Sequence, residues 1–148
     1  MSLSDQRQTF PSDGVIRLCH QDGRCLPLRV RRCATFICRL RGLMFRRRLP
    51  EDEALLFVQG SEDRLGAAIH MFFVFFSIGV VWLNADGTVV DKVLAKPFRP
   101  LYAPGGPARY IVEGPPALLS WVSIGERLAI EYGAPCVQPE RGGDAVDA

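Results

Sequence analysis

The stretch IHMFFVFFSIGVVWL, residues 69–83, is the most hydrophobic part of the chain and decides how the fold is interpreted. A membrane-spanning helix needs about 20 mostly apolar residues. This run has 15 residues and contains His70, Ser77 and Gly79. Valine, isoleucine, phenylalanine and tryptophan dominate it, and these residue types favour strands. We therefore predict two buried strands with a break near Ser77, at the centre of a folded core, and we expect no insertion into a membrane.

Turn sequences and short apolar runs lie on both sides of this stretch. Asp22-Gly23 separates the apolar runs 15–19 and 25–30, which predicts a hairpin because glycine tolerates a positive φ. The turn sequence NADG at 84–87 precedes the alternating run 88–94, which predicts a second hairpin.

The remaining predicted elements are also short. Strands are predicted at 54–58, 108–113 and 127–132, and helices at 35–42 and 115–122. The first helix begins at Thr35, which can serve as its N-cap, and the second begins at a proline. Many short strands and two short helices predict a mostly β fold, either a compact sandwich or a partly closed barrel.

The composition is that of an ordinary one-domain protein. The chain has 148 residues, of which 48% are hydrophobic and 23% charged, and a domain of this size can bury a core without disulfides. We predict a single β-rich domain over residues 13–135, with flexible tails at 1–12 and 136–148. Residues 1–9 lack the basic start and apolar run of a signal peptide, so we predict a soluble, cytoplasmic protein.

The cysteines point to no special chemistry. They are five in number and include no C-x-x-C pair: Cys19, Cys25, Cys33, Cys38 and Cys136. We predict free thiols in a reducing compartment, with no metal site and no cofactor.

Basic residues are concentrated in one segment. Nine of the 18 lysines and arginines are arginines in residues 24–48, and no acidic residue lies among them. One interpretation is a nucleic-acid-binding face that uses Arg41, Arg46, Arg47 and Arg48. The other is a general preference for arginine, because 16 of the 18 basic residues in the chain are arginine. The segment's two aromatic residues, Phe36 and Phe45, are assigned to the core.

Ordered blocks of the sequence resemble a known family. RLRGLM at 39–44 is similar to its R-x-x-G-L-M signature, and IHMFF at 69–73 is similar to its I-H-M-F-F variant. Similar blocks occur, in the family's order, at 54–57, 86–90, 96–99, 111–113 and 124–126. The chain thus resembles domain of unknown function family number 192, found in bacteria and archaea, over about residues 32–131. This resemblance implies a compact β sandwich or barrel with small helices, and it implies no known activity.

One block departs from the family pattern. Where the family has M-R-F-P-I-D, residues 74–79 read VFFSIG, so a basic and an acidic position have become Phe75 and Gly79. Losing one member of a buried ion pair costs about 3 to 5 kcal/mol, whereas replacing both can be neutral. We interpret the two positions as a structural ion pair that packing has replaced. A family function that needs both charges is then expected to be absent here.

His70 is the only histidine within the core pattern. On a strand, His70 and Met71 would point to opposite faces, so they could not readily share a metal. We interpret His70 as a hydrogen-bonded structural histidine. The alternative is an enzyme in which His70 contacts a ligand or transfers a proton in a cleft.

No catalytic motif stands out. The chain contains no G-x-S-x-G, no H-E-x-x-H and no phosphate-binding glycine loop. The leading hypothesis is a non-enzymatic module that binds a small anionic ligand or a protein partner. Its candidate ligand-binding residues are Arg39, His70, Lys96 and Arg99. Lys96 and Arg99, together with Arg109, bracket a proline-rich connection.

Overall fold

A computed structural model describes residues 15–33, residue 38 and residues 41–133. In that part of the chain, seven strands form one sheet, and a short helix, α1 (Leu118–Trp121), precedes the last strand. The strands are β1 (Val15–His20), β2 (Arg29–Arg32), β3 (Glu53–Asp63), β4 (Ile78–Leu83), β5 (Val89–Ala95), β6 (Ala108–Gly114) and β7 (Leu128–Gly133). The prediction of a mostly β fold is confirmed.

The sheet curls until its two edge strands approach each other. Its order is β5-β4-β6-β3-β2-β1-β7, and every pair is antiparallel except β2 with β3. Next to the edge strands, the Val89 amide donates to the Glu126 carbonyl, and the Leu128 amide donates to the Gly87 carbonyl. These bonds join β5 to β7 at one end only. The result is a half-barrel, which fits the predicted partly closed barrel.

Strand β4 is buried on both faces. Val81 and Leu83 belong to the cluster inside the half-barrel, together with residues of β1 and β7. Val80 and Trp82 belong to a second cluster on the outer face, which loops cover. All six residues of β4 are buried. The prediction of a buried strand in the second half of 69–83 is therefore confirmed.

The first half of that stretch is not a strand, and this prediction was wrong. Ile69 forms a single bridge with Tyr102, and the chain then turns. The Met71 amide donates to the Arg99 carbonyl, and the Val74 amide donates to the Met71 carbonyl, so no strand-to-strand ladder forms. The segment's high hydrophobicity comes in part from phenylalanines that lie at the surface.

The predicted helices have different outcomes. Of residues 35–42, the structure describes Cys38 and Arg41, both helical, and Gly42; the rest of that prediction lies outside the described residues. The second predicted helix is present as the four residues of α1. Among the described residues, no helix is long enough and apolar enough to cross a membrane.

Four cysteines form two disulfides, Cys19–Cys25 and Cys33–Cys38. The prediction of free thiols was therefore wrong for these four. The first bond forms because Cys19 and Cys25 lie directly opposite each other across the hairpin. Pairing across strands leaves no C-x-x-C spacing in the sequence.

Two glycines allow α1 to pack against the sheet. Gly79 of β4 pairs with Gly114 of β6, and a Cβ added at Gly79 would lie only 2.7 Å from the Pro115 carbonyl oxygen. The Phe75 ring instead contacts Phe98. Positions 75 and 79 therefore face different surroundings, and an ion pair between them has no support in this structure.

We predict that Gly79→Ala lowers the free energy of unfolding by about 1 to 3 kcal/mol, because the added methyl group forces the backbone before α1 to move. Gly60→Ala is the matched control, since a Cβ at Gly60 meets nothing within 4 Å. Urea unfolding of both variants measures the difference. Equal stability of the two variants would contradict the close packing of α1.

We also predict that the denatured, unreduced chain takes up no more than one maleimide, whereas the reduced chain takes up one at each of its five cysteines. Intact mass after trapping with N-ethylmaleimide counts the labels. Three or more labels before reduction would show that at least one disulfide is missing.

Candidate functional site

A cleft of ≈ 310 Å³ lies on the outer face of the sheet. We call it the Glu113 cleft. It is bounded by the turn 41–44, by the loop 66–74 and by strands β3 and β6; its polar side chains are Arg41, Gln59, His70 and Glu113. The volume is within the range of small-molecule sites.

Glu113 contributes a buried carboxyl group to this cleft. Its neighbours across β6 are Leu55 of β3 and Val80 of β4, both buried and apolar. Only 9% of Glu113 is exposed, and its carboxyl has no hydrogen bond or ion pair with any described residue. Burial without a partner disfavours the charged form and raises the pKa of Glu113 to about 7. Glu113 thus changes charge near neutral pH.

The turn at Gly42 covers this carboxyl group. Gly42 has φ 45°, in the left-handed region that favours glycine. A Cβ at this position would lie 3.7 Å from Glu113 Oε2 and 3.6 Å from Phe57 Cζ. These distances are ordinary contacts, so the backbone conformation is what requires glycine in the RLRGLM block. The turn brings its backbone and Arg41 to the cleft.

His70 lies at the edge of the cleft. Its side chain is exposed, its ring centroid is 5.4 Å from that of Phe72, and it makes no hydrogen bond with any described residue. The interpretation as a hydrogen-bonded structural histidine was therefore wrong, because residue 70 belongs to a loop and not to a strand. The alternative position, in a cleft, is the one observed.

The other predicted ligand residues are not gathered at the cleft. Lys96 and Arg99 lie in the loop after β5, next to the cleft loop: the Lys96 amide donates to the Tyr102 hydroxyl, and the Arg99 carbonyl accepts from the Met71 amide. Neither side chain lines the cleft. Arg39 lies outside the described residues.

The arginines of the nucleic-acid hypothesis are divided. Arg41 lines the cleft, whereas Arg46, Arg47 and Arg48 follow the turn, and the last two are exposed. A role for them in binding nucleic acid stays a prediction.

Sequence reasoning did not single out Glu113. Glu113 is not among the residues predicted to form a site, whereas the structure shows its carboxyl unpaired among the described residues. A signal was present, because strand alternation places Glu113 on the same face as Ile111, a core position. A carboxyl at a core position is uncommon and marks a candidate functional site.

The described residues also bring Cys19, Cys25 and Glu131 together, with their potential ligand atoms within 4.8 Å of one another. The two sulfurs are bonded to each other, so they offer no thiolate to a metal. We do not interpret this cluster as a binding site.

Glu113 is predicted to make stability depend on pH. Its ordinary pKa is 4.5 and its folded-state pKa is about 7, so the folded state keeps a proton that the unfolded state has released. The contribution of Glu113 to the free energy of unfolding should therefore be fully present below about pH 4.5 and should fall by about 3 kcal/mol as the pH rises through 7.

Glu113→Gln cannot titrate and should lose this pH dependence, so it should be more stable than the unmodified chain at pH 8 and similar to it near pH 5. Urea unfolding at several pH values measures the effect, with Glu131→Gln on the exposed surface of β7 as control. If the free energy of unfolding changed with pH in the same way in the Glu113→Gln variant and in the unmodified chain, the raised pKa of Glu113 would be contradicted.

Archaeal UPF0127 proteins are similar to this chain in sequence. The chain is 42% identical to a UPF0127 protein of Thermococcus kodakarensis over 66% of its own length and 60% of that relative. It is 44% identical to a UPF0127 protein of Thermococcus gammatolerans and spans 58% of that relative, so it covers less than two thirds of both. A UPF0127 protein of Pyrococcus furiosus is 40% identical over 72% of this chain and 90% of that relative.

Solved structures share the fold. A Sinorhizobium meliloti protein, named provisionally as a transcription regulator, superposes with a TM-score of 0.68 at 25% identity, over 79% of this chain and 92% of that chain. A protein of unknown function from Novosphingobium aromaticivorans gives 0.66 at 20% identity, over 78% and 83%.

The family model of DUF192, described as "Uncharacterized ACR", matches residues 18–130. This range includes all of strands β2 to β6 and the Glu113 cleft. On this evidence, and as the sequence blocks indicate, the chain belongs to the DUF192 family of uncharacterised proteins.

Proposed function

We propose that this protein is a non-enzymatic binding module that holds a small organic anion in the Glu113 cleft. One observation carries the proposal: the cleft contains a buried carboxyl group that has no partner among the described residues. An unpaired buried polar group is unfavourable, and a ligand that hydrogen-bonds to it removes this penalty.

The walls of the cleft fit the apolar part of such a ligand. Met44 and Met71 line it from two different segments, and Ile69 and Val74 add branched apolar surface. Methionine side chains are flexible and adapt to ligands of different shapes. A ligand with an apolar body would therefore remove water from these walls on binding.

The charges favour an anion over a cation. Arg41 and His70 line the cleft, and Glu113 is its one acidic lining residue in the described part of the chain. With a pKa of about 7, Glu113 is protonated on a substantial fraction of the molecules at neutral pH and can then donate an O–H to a ligand oxygen. The anionic group of the ligand would lie near Arg41.

A second candidate function, an enzyme that uses His70, is favoured by the same cleft. His70 is exposed at its edge, and the pKa of Glu113 is near that of a useful general acid or base. The two candidates differ in what happens to a bound compound: a binding module returns it unchanged, whereas an enzyme converts it. Mass spectrometry of any compound that binds distinguishes them.

A cytoplasmic location stays a prediction. Disulfides persist mainly in oxidising compartments and are uncommon in the cytosol, so Cys19–Cys25 and Cys33–Cys38 argue against it. Quenching intact cells with acid and labelling their thiols with maleimide would show whether these cysteines are reduced or form disulfides in the protein's own compartment.

We predict that a panel of small carboxylates and phosphate esters contains compounds that raise the melting temperature, and that the rise is larger at pH 6 than at pH 8. The rise is larger at pH 6 because protonated Glu113 does not repel an anion. Thermal-shift screening at both pH values measures the two rises in melting temperature.

Arg41→Gln should reduce this rise in melting temperature. Glu113→Leu should make the rise at pH 6 equal to the rise at pH 8. The control is Arg31→Gln, a change of the same kind on the exposed side of β2. A complete panel without a shift, or equal shifts in Arg41→Gln and Arg31→Gln, would contradict an anion site in the Glu113 cleft.

A further inference from the structure

A group of phenylalanines lies exposed on the loops that cover the outer face of the sheet. We call it the aromatic face; its members are Phe45 (57% exposed), Phe72 (46%), Phe73 (49%), Phe75 (51%) and Phe98 (51%). Single exposed apolar residues are normal at protein surfaces, but a contiguous group marks an interaction site.

The rings belong to three loops that are bonded to one another. The Phe45 amide donates to the Phe73 carbonyl, and the Phe98 amide donates to the Met71 carbonyl. The Phe45 and Phe73 rings stack with centroids 5.0 Å apart, and the Phe75 and Phe98 rings meet edge to face at 5.5 Å. The three loops therefore present two pairs of rings on bonded segments, and the Phe72 ring lies beside that of His70.

Backbone strain is concentrated in the same residues. Phe45, Phe73 and Phe98 have φ values of 63°, 57° and 61°, and no other non-glycine residue of the described part has a positive φ. The left-handed region is unfavourable for bulky side chains. Strain of this kind persists where function requires it, and here all three strained residues display rings at the surface.

Basic residues adjoin the phenylalanines of the aromatic face along the chain. Arg46, Arg47 and Arg48 follow Phe45 directly, while Lys96 and Arg99 flank Phe98. Residues 41–49, 69–77 and 96–101 contain no aspartate or glutamate. An apolar partner bordered by negative charge would complement both features.

We propose that the aromatic face docks onto the surface of a bilayer that contains anionic phospholipids. The rings would enter the boundary between headgroups and acyl chains, and the arginines and Lys96 would contact lipid phosphates. The phenylalanines carry no polar group, and four of them pack in pairs instead of standing apart as separate platforms for bases. Paired apolar rings on neighbouring loops therefore favour lipid over single-stranded nucleic acid.

This docking is peripheral and does not depend on the Glu113 cleft having a ligand. It also differs from insertion of a spanning helix, which the sequence argues against. Electrostatic attraction to the bilayer predicts binding that weakens as salt rises, because ions screen exposed charges over about 10 Å at 0.1 M.

The test is co-sedimentation of the full chain with vesicles of pure phosphatidylcholine and of phosphatidylcholine with 30% phosphatidylglycerol. We expect at least tenfold stronger partition onto the anionic vesicles and a clear loss of binding in 0.5 M salt. The double variant Phe72→Ser with Phe75→Ser should weaken binding at least tenfold, and both positions have ordinary backbone conformations. Arg47→Gln with Arg48→Gln should weaken binding and flatten its dependence on salt.

Ile124→Ser is the matched control, because Ile124 is 59% exposed but lies in the turn before β7, outside the aromatic face. Circular dichroism checks that each variant is folded. Unchanged binding of the control supports the proposal. The proposal is overturned if the unmodified chain does not bind anionic vesicles, or if Ile124→Ser loses as much binding as the phenylalanine variant. It is also overturned if the chain binds a fluorescent oligothymidine but not the vesicles.

Discussion

The burial of strand β4 on both faces is the constraint on which the rest of the structure depends. Its inner residues help to close the half-barrel with β1 and β7. Its outer residues, Val80 and Trp82, would face water if nothing covered the sheet there. The Trp82 indole N–H donates to the Ala67 carbonyl, at 2.8 Å, and so fixes one of the covering loops. A covering layer is therefore necessary, and in the described part of the chain loops provide it.

This division explains which parts of the fold could be predicted from the sequence. The hairpins and β4 depend on local turn chemistry and on hydrophobicity, and both were predicted. Residues 69–77 are also hydrophobic but belong to the covering layer, where Phe76 packs against the sheet cluster and the other phenylalanines are exposed to solvent. Hydrophobicity alone cannot distinguish these two directions, and the same limit assigned the exposed Phe45 to the core. The disulfide Cys19–Cys25 was missed because it depends on register across a hairpin.

The candidate site could be predicted only in part. His70 was named from the sequence, but as a strand residue, and its place at the edge of a cleft follows from a loop that periodicity did not reveal. Glu113 has the strongest physical signal of the site, yet that signal depends on knowing its neighbours. The pairing with Leu55 and Val80 gives Glu113 buried apolar neighbours on both adjacent strands, and among the described residues its carboxyl forms no ion pair. Lys96 and Arg99 were grouped with His70, and the structure places their backbone close to the cleft loop without bringing their side chains into the cleft.

The two faces of the sheet differ in how well their residues conform to the patterns that stabilise a fold. The cluster inside the half-barrel packs buried apolar side chains from all seven strands, as a core that serves stability should. The outer face of the sheet and the loops that cover it contain an unpaired buried carboxyl on β6, three phenylalanines in left-handed conformations and rings exposed to water. Natural sequences tend to depart from the rules of stability at functional sites and to compensate elsewhere. Because these departures all lie on the outer side of the sheet, we infer that the inner core supplies the stability and that the outer side carries the function.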